Sequence, residues 1–247
     1  MYSDVWTSPV PSISGYKFYL VIIDDFTHYV WSFPLLNKAD VVPTFLKFCS
    51  YVPTQFRLPI VALQTDNDRE FDNYTMRRFL QAHGMAFRLS CPYTSAQNGK
   101  AERTLRTLND SVRAMLLHAS APPQFWVEAL ATATNLINIQ PCRATGTMTP
   151  HQLLFGTPPT YDHLRVFGSL CFPNQTATTA NKLCPRSVPC VFLGYPADHK
   201  GYRCYASSLH GTSCSTSLSS PFVKHVTRAR HLQCHPRRRT DRGPVAP

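Results

Sequence analysis

Residues 16–35, YKFYLVIIDDFTHYVWSFPL, decide the fold class of this chain. Two runs rich in β-branched and aromatic residues, 16–24 and 29–35, are separated by the short polar link 25–28. Such runs joined by a short link predict an antiparallel pair of strands. An extended segment carrying Asp4 precedes them, so we expect three strands in succession.

Helical and strand signals then alternate along the chain. Asn37 and Asp40 resemble an N-cap and a first-turn acid, and apolar residues follow them at helical spacing. We predict a strand at 60–65, a helix at 73–82 that ends near Gly84, and a strand at 85–89. A helix from about 95 to about 118 opens with Thr94 and Gln97 as a capping box. Another helix follows Pro122–Pro123, so the order predicts a mixed α/β layered domain.

The composition changes after residue 140. We predict a short helix at 150–155 and strands at 164–172, 190–195 and 202–205, the last two joined by a turn at 198–201. Ser, Thr, Pro, His and Arg dominate from residue 206 onward, which favours disorder. We therefore divide the chain into a core domain (1–140), a linker helix with a small β-barrel-like module (141–205) and a basic low-complexity tail (206–247).

The charge of the chain indicates an anionic partner. The net charge is +11 and the pI is about 9.4, and nucleic acid is the commonest partner of so basic a protein. Residues 224–242 contribute seven Lys/Arg and one Asp, so much of the excess lies in the tail. The longest apolar runs are too short to cross a bilayer and no signal peptide opens the chain. We expect an intracellular protein without a membrane segment.

The nine cysteines contain no CxxC pair. Cys184, Cys190, Cys204 and His199 invite a zinc assignment, but their spacing fits no usual tetrahedral site. We expect reduced thiols instead.

Three acidic residues occupy positions suited to phosphodiester chemistry. Asp4 lies on the first strand, Asp66 directly follows the strand at 60–65, and Glu102 lies on the next long helix, with 35 residues between it and Asp66. Carboxylates on rigid elements suit Mg²⁺ or Mn²⁺, and two such ions can activate an attacking hydroxyl and stabilise a leaving oxygen. Asp24 and Asp25 are interpreted as turn residues.

The helix that carries Glu102 has a polar face with alternating charge. Asn98, Glu102, Arg106, Asn109 and Arg113 follow one another at intervals of three and four, and Lys100 and Arg103 flank them. Cations beside a carboxylate can bind phosphate while the carboxylate holds metal, whereas the alternative is an ordinary solvated face with ion pairs. Spacing alone does not decide between these two.

Several motifs resemble the integrase of copia-type LTR retrotransposons, within the retroviral integrase superfamily. They are SDVWTSP (3–9), LVIIDDFTHYVW (20–31), LQTDN (63–67), REF (69–71), CPYTSAQNGKAER (91–103), QFWVEAL (124–130), LFGTPP (154–159), LRVFG (164–168) and CVFLGYPADHKGYRC (190–204). The likeness spans residues 3 to 205 and includes the 35-residue spacing of a D,D-35-E triad. It implies an RNase H-like core with a mixed five-stranded sheet flanked by helices, within a Gag-Pol polyprotein of which this chain is a fragment.

The resemblance also implies roles. Asp4, Asp66 and Glu102 would be catalytic and would hold Mg²⁺ or Mn²⁺. Asn67, Asn98 and Gly99 would form the active-site shell, and Lys100, Arg103, Arg106 and Arg113 would bind DNA. The implied activity is processing of element DNA ends and their transfer into target DNA, by a homo-oligomer assembled on DNA. That reaction would occur in the nucleus, after a stage in cytoplasmic particles.

One position departs from the family pattern. Asp68 stands where the family usually has Gly after the Asp-Asn pair. If the backbone there needs a positive φ, Asp would cost about 1 kcal/mol, and its carboxylate could also disturb the metal geometry. Two functions therefore stay open: a metal-dependent polynucleotidyl transferase, and an inactive DNA-binding relic of a decayed element.

Overall fold

A computed structural model of the protein describes residues 1–90, 98–173, 187, 189–196 and 201–205. Its main feature is a five-stranded mixed sheet with the order β3-β2-β1-β4-β5. The strands are β1 (Tyr2–Thr7), β2 (Phe18–Ile23), β3 (Val30–Leu35), β4 (Ala62–Thr65) and β5 (Ala86–Leu89). β1, β2 and β3 pair antiparallel, whereas β4 runs parallel to both β1 and β5. This is the predicted RNase H-like arrangement.

Helices cover both faces of the sheet. They are α1 (Val41–Phe56), α2 (Tyr74–Ala82), α3 (Gly99–His118) and α4 (Trp126–Ile139). Leu20 and Ile22 of β2 join a core with α1 and α2, while Tyr19, Val21 and Ile23 join a second core with α3 and α4. Burial on both faces explains why β2 is apolar throughout rather than alternating. Each such side chain contributes about 1.5–3 kcal/mol on burial.

Local signals set most of the helix ends as predicted. Asn37 and Asp40 form a capping box at the 3₁₀ turn Lys38–Asp40, directly before α1. The Asn73 side chain accepts a hydrogen bond from the Met76 N–H (3.0 Å) at the start of α2. Gly84 has a φ of +63°, which lets the chain turn from α2 into β5. The predicted capping box of the long helix, Thr94 and Gln97, lies outside the described residues.

A second, smaller sheet follows α5 (Pro150–Phe155). It contains β6 (Leu170–Cys171), β7 (Cys190–Phe192) and β8 (Cys204–Tyr205), paired antiparallel in that order. The prediction of a strand over 164–172 is wrong for residues 164–169. Turn hydrogen bonds form there, from the Leu164 N–H to the Tyr161 carbonyl and from the Ser169 N–H to the Val166 carbonyl, and only Gly168 and Ser169 bond to Phe192 of β7. The turn at 198–201 falls mostly outside the described residues, as does the tail.

The small sheet packs against the helical face of the main domain. Phe167 and Leu193 share a buried cluster with Phe125 and Ala129. Gly168 has a φ of +81°, and a Cβ there would lie 2.2 Å from the Ala119 Cβ, so this contact requires glycine. The domain boundaries at 140 and 205 stay predictions. Within the described part of the chain, no helix combines the length and apolar character needed to cross a bilayer.

Candidate active site

Asp4 lies on β1, and Asp66 directly follows the neighbouring parallel strand β4, at a matching position. Tyr2 of β1 is the partner of Gln64 at the end of β4, and each aspartate comes two residues later. Because side chains alternate along a strand, Asp4 shares a face with Tyr2, which packs against the core formed with α3 and α4. The two carboxyl groups therefore meet on the α3 side of the sheet. The 35-residue spacing between Asp66 and Glu102 does not by itself predict the register of β1 against β4.

Burial and nearby negative charges perturb both acids. Desolvation raises the pKa of the Asp4 carboxyl to about 7, the charge of Asp66 adds to the shift, and a 2.7 Å hydrogen bond from the Val5 N–H opposes it. Desolvation also raises the pKa of Asp66 to about 6, and the nearby charge of Asp68 adds to that shift. Two acids with raised pKa values on adjacent strands are a feature of functional sites. A bound cation would relieve their repulsion.

A buried asparagine anchors the start of α3 to the strand that carries Asp4. The Asn98 side chain, only 5% exposed, donates a hydrogen bond from Nδ2 to the Ser3 carbonyl (3.2 Å). Ser3 is itself fully buried, and its hydroxyl donates to the Val21 carbonyl. Ala101 is also fully buried, which lets the first turn of α3 approach the sheet closely. These contacts place Glu102, one residue later, on the same side of the sheet as Asp4.

Glu102 points along its own helix. Its Oε1 lies 3.2 Å from Nη2 of Arg106, one turn further on, and half of its side chain is exposed. Its charge contributes to the raised pKa of Asp4, though less than that of Asp66. Among the described residues, no three Asp, Glu, His or Cys side chains lie close enough together to hold a metal ion. The predicted convergence of all three carboxylates is thus not preformed, and the roles of Asp4, Asp66 and Glu102 stay predictions.

Two buried oxygen atoms, one of Asp66 and one of Asn98, nevertheless suit a hard cation. The Oδ1 atoms of Asp66 and Asn98 are both buried and have no hydrogen-bond partner among the described residues. A buried acceptor without a partner is costly, about 1–3 kcal/mol, and a ligand that supplies positive charge would remove this cost. Carboxylate and amide oxygens are ligands of Mg²⁺ and Mn²⁺.

The loop after Asp66 is held in place at its far end. Phe71 is fully buried, and its N–H donates to the Asp68 carbonyl (3.0 Å). Glu70 forms an ion pair with Lys38 at the start of the first helix. Asp68 is exposed and is not among the residues with positive φ, so the backbone strain considered for this position does not arise. Asp68 therefore affects the site through its charge, which raises the pKa of Asp66.

The other predicted site residues occupy different surroundings. Asn67 is exposed and Gly99 is half-buried at the first position of α3. Arg113 lies 3.5 Å from Asp110 in an exposed ion pair, whereas Lys100 and Arg103 line a groove beside β1. Asp24 is a turn residue as predicted, since its Oδ2 accepts hydrogen bonds from the N–H and the hydroxyl of Thr27, both 2.8 Å.

The sequence analysis missed a tyrosine beside Asp4. The Tyr19 hydroxyl donates a hydrogen bond to Oδ1 of Asn109 on α3 (3.0 Å). Burial raises the pKa of Tyr19, and the charge of Asp4 adds to this shift. Tyr19 also contacts Trp6 and Trp126 at ring-centroid distances of 5.3 and 6.0 Å. In sequence it belongs to an apolar run, and only the polar atom at its tip could have drawn attention to it.

Family models match two parts of the chain. Residues 1–95 match the integrase core domain, and residues 169–218 match the retroviral polymerase SH3-like domain. The chain carries an integrase core domain. The match includes Asp4 and Asp66, and the SH3-like match covers all three strands of the second sheet.

Curated relatives of this integrase core are retrovirus-related Pol polyproteins of plant transposons. The chain is 39% identical to that of transposon RE2 from Arabidopsis thaliana over 83% of its own length. It is 33% identical to that of transposon TNT 1-94 from Nicotiana tabacum over 82% of its length. The chain spans about a seventh of these relatives, 14% and 15% respectively.

The fold is also similar to that of a solved retroviral assembly. A chain of the simian T-cell lymphotropic virus intasome in complex with PP2A regulatory subunit B56 gamma matches with a TM-score of 0.51 and 14% identity. The match covers 83% of this chain and 74% of the other. At this identity the likeness concerns the fold alone.

Proposed function

We propose that this integrase core is a metal-dependent polynucleotidyl transferase that processes the DNA ends of a retrotransposon and joins them to target DNA. The observation that carries the proposal is the placement of Asp4 on β1 and of Asp66 directly after the adjacent parallel strand β4, with both pKa values raised. Asp4, Asp66 and Glu102 would hold Mg²⁺ or Mn²⁺. Once bound, the ions supply activation of the attacking hydroxyl and stabilisation of the leaving oxygen.

The residues around the acids have separate tasks in this proposal. Asn98 fixes the start of α3 against β1, so that Glu102 is held near Asp4. Arg106 is exposed and already faces Glu102, so it can bind a DNA phosphate beside that carboxylate. The ion pair of Lys38 with Glu70 steadies the loop that begins at Asp66. Glu102 would exchange its contact with Arg106 for the metal.

The proposed partners are element ends and target DNA, bound by a homo-oligomer. The net charge of +11 favours a polyanion, and the intasome chain with the similar fold belongs to an integrase assembly. We place the reaction in the nucleus, where target DNA lies. An inactive DNA-binding relic is the alternative that the following experiment separates from an enzyme.

The test is a strand-transfer assay on short duplexes with Mg²⁺ or Mn²⁺. The wild-type chain should form joined products, and Asp66→Asn should abolish them, while Asp110→Asn on the exposed part of α3 should retain activity. DNA binding should survive in all three proteins. If the wild-type protein binds DNA but forms no joined product with either metal, the relic interpretation is correct and the proposed activity is wrong.

A further inference from the structure

A cationic groove opens beside the candidate active site, on the flank of α3 adjacent to Glu102. Its volume is about 610 Å³, and it lies between β1, the first turns of α3 and the segment between α4 and α5. Its lining includes Tyr2, His28, Lys100, Arg103, Cys142 and Arg143. Arg103 is the next residue after Glu102, so the groove lies beside the turn of α3 that carries Glu102.

Among the described residues, the lining has three permanent cations and no carboxylate. Lys100, Arg103 and Arg143 supply the charge, and Arg103 and Arg143 are exposed. Lys100 donates to the Asp25 carbonyl (2.7 Å) and to its Oδ1 (2.8 Å), and lies 5.4 Å from the centre of the Tyr2 ring. Asp25 is itself two-thirds exposed, so this ion pair is accessible to water and to a competing anion.

An exposed aromatic residue lies in the turn that borders the groove. Phe26 is 82% exposed, in the turn between β2 and β3, between Asp25, which pairs with Lys100, and His28, which lines the groove. The turn is firmly built, because Asp24 accepts two hydrogen bonds from Thr27. The exposed Phe26 ring gains no hydrophobic stabilisation from burial, and no described residue covers it. A flat aromatic ligand stacked on the ring would cover it.

We propose that this groove binds single-stranded DNA, with phosphates at Lys100, Arg103 and Arg143 and a base stacked on Phe26. Cations that follow a backbone beside an aromatic platform are the combination that recognises an unpaired strand. A duplex would satisfy the cations but keep its bases stacked internally, leaving Phe26 uncovered. The groove adjoins Glu102, so the bound segment is an unpaired strand entering or leaving the active site. The inference rests on the proposed function only in naming DNA as the polymer.

The test measures binding of a fluorescent ten-residue oligothymidylate to the full chain, in EDTA, by anisotropy. Phe26→Ala should weaken binding about fivefold or more and leave the affinity for a ten-base-pair duplex unchanged. Arg143→Ala should lower the slope of log affinity against log salt by about 0.7. Matched controls are Tyr74→Ala and Arg78→Ala, exposed residues of α2 outside the groove, and both should bind as wild type does.

Each of the following results supports or overturns the proposal that the groove binds single-stranded DNA. Wild-type affinity for oligothymidylate in Phe26→Ala, or an unchanged salt slope in Arg143→Ala, overturns the proposal. Binding of oligouridylate at least tenfold tighter than of oligothymidylate assigns the groove to RNA and also overturns it. The strand-transfer assay is independent of this outcome, because binding is measured without metal. If both variants lose oligothymidylate binding and the wild-type protein gives no strand transfer, the groove binds single-stranded DNA as proposed. The proposed transferase activity is then wrong.

Discussion

The side chain of Asn98 donates a hydrogen bond to the backbone carbonyl of Ser3, the residue before Asp4, across 3.2 Å. This contact joins the start of α3 to the central strand of the sheet. It fixes the distance between the helix that carries Glu102 and the strand that carries Asp4. Catalysis by positioned groups is sensitive to displacements of about 1 Å, so this hydrogen bond should matter more for activity than for stability.

Asn98→Ala should therefore lower strand transfer by about 100-fold while reducing the free energy of unfolding by only about 1–3 kcal/mol. The matched control is Asn73→Ala, which removes the side-chain cap of α2 and should cost about 1 kcal/mol without affecting strand transfer. Thermal unfolding and strand-transfer rates would be measured for both. Equal losses of activity in the two variants would show that Asn98 is only a structural residue.

The raised pKa of Asp4 predicts how stability depends on pH. A carboxyl whose pKa is raised from 3.8 to about 7 on folding favours the protonated folded state. Its stabilising effect is complete below about pH 4 and is lost as the pH rises through 7. Asp4→Asn should therefore match the wild type near pH 4 and, in metal-free buffer at pH 8, unfold at a Tm higher by roughly 3–6 °C.

Asp110→Asn is the control for this experiment, because Asp110 forms an exposed ion pair that contributes little to stability. Its Tm should follow the wild type across the pH range. Addition of Mg²⁺ at pH 8 should narrow the gap between wild type and Asp4→Asn, since the cation offsets the repulsion. A gap that is constant with pH would refute the electrostatic explanation.

Much of the fold follows from local signals. The apolar run in β2, the capping residue Asn73 and the turn glycine Gly84 each determine their own surroundings, and the predicted elements there are confirmed. The strand expected over 164–172 was wrong for residues 164–169, because that segment folds through turns and packs against Ala119 at the end of α3. Packing between elements that are distant in sequence decided that segment.

The candidate site was only partly accessible from sequence, for a related reason. Resemblance supplied Asp4 and Asp66, but their side-by-side placement depends on the parallel register of β1 with β4. The orientation of the Glu102 side chain depends on whether it contacts Arg106 or faces Asp4 and Asp66. Sequence spacing does not decide between these two orientations. The position of the Tyr19 hydroxyl depends on its hydrogen bond to Asn109, which lies 90 residues away in the sequence.

The docking of the small sheet can be tested at Gly168. A Cβ there would lie 2.2 Å from the Cβ of Ala119, and the φ of +81° is unfavourable for other residues. Gly168→Ala should lower the free energy of unfolding by at least about 2 kcal/mol. Gly146→Ala has a similar φ of +65° but open space, so it should cost only about 1 kcal/mol. Similar Tm values for the two variants would mean that the sheet does not pack tightly against α3.

The basic tail should contribute to non-specific DNA binding. Deletion of residues 224–247 removes seven Lys/Arg and should weaken duplex binding about tenfold at low salt, with a flatter dependence on salt. A full-length variant with these seven residues changed to Gln should behave in the same way, because charge rather than length is responsible. Affinity that is independent of both salt and the tail would contradict this electrostatic explanation.

Asp68 is the last residue to test, because it separates this chain from the usual family pattern and acts on Asp66 at close range. Its charge raises the pKa of Asp66 and, to a smaller extent, that of Asp4. The backbone at Asp68 needs no positive φ, so replacing it by Gly relieves no strain. Two effects then compete: the extra carboxylate attracts cations, but it also offers them a misplaced ligand. Two-metal catalysis depends on in-line geometry, so we expect geometry to dominate.

Asp68→Gly should accordingly raise strand transfer and lower metal affinity slightly or not at all, measured across a titration of Mg²⁺ and of Mn²⁺. Asp68→Asn is the matched variant, since it removes the charge but keeps the side chain and the chain stiffness. If Asn and Gly raise activity equally, the charge of Asp68 is the cause. If neither exceeds the wild type, Asp68 is an exposed turn residue without influence on the metals.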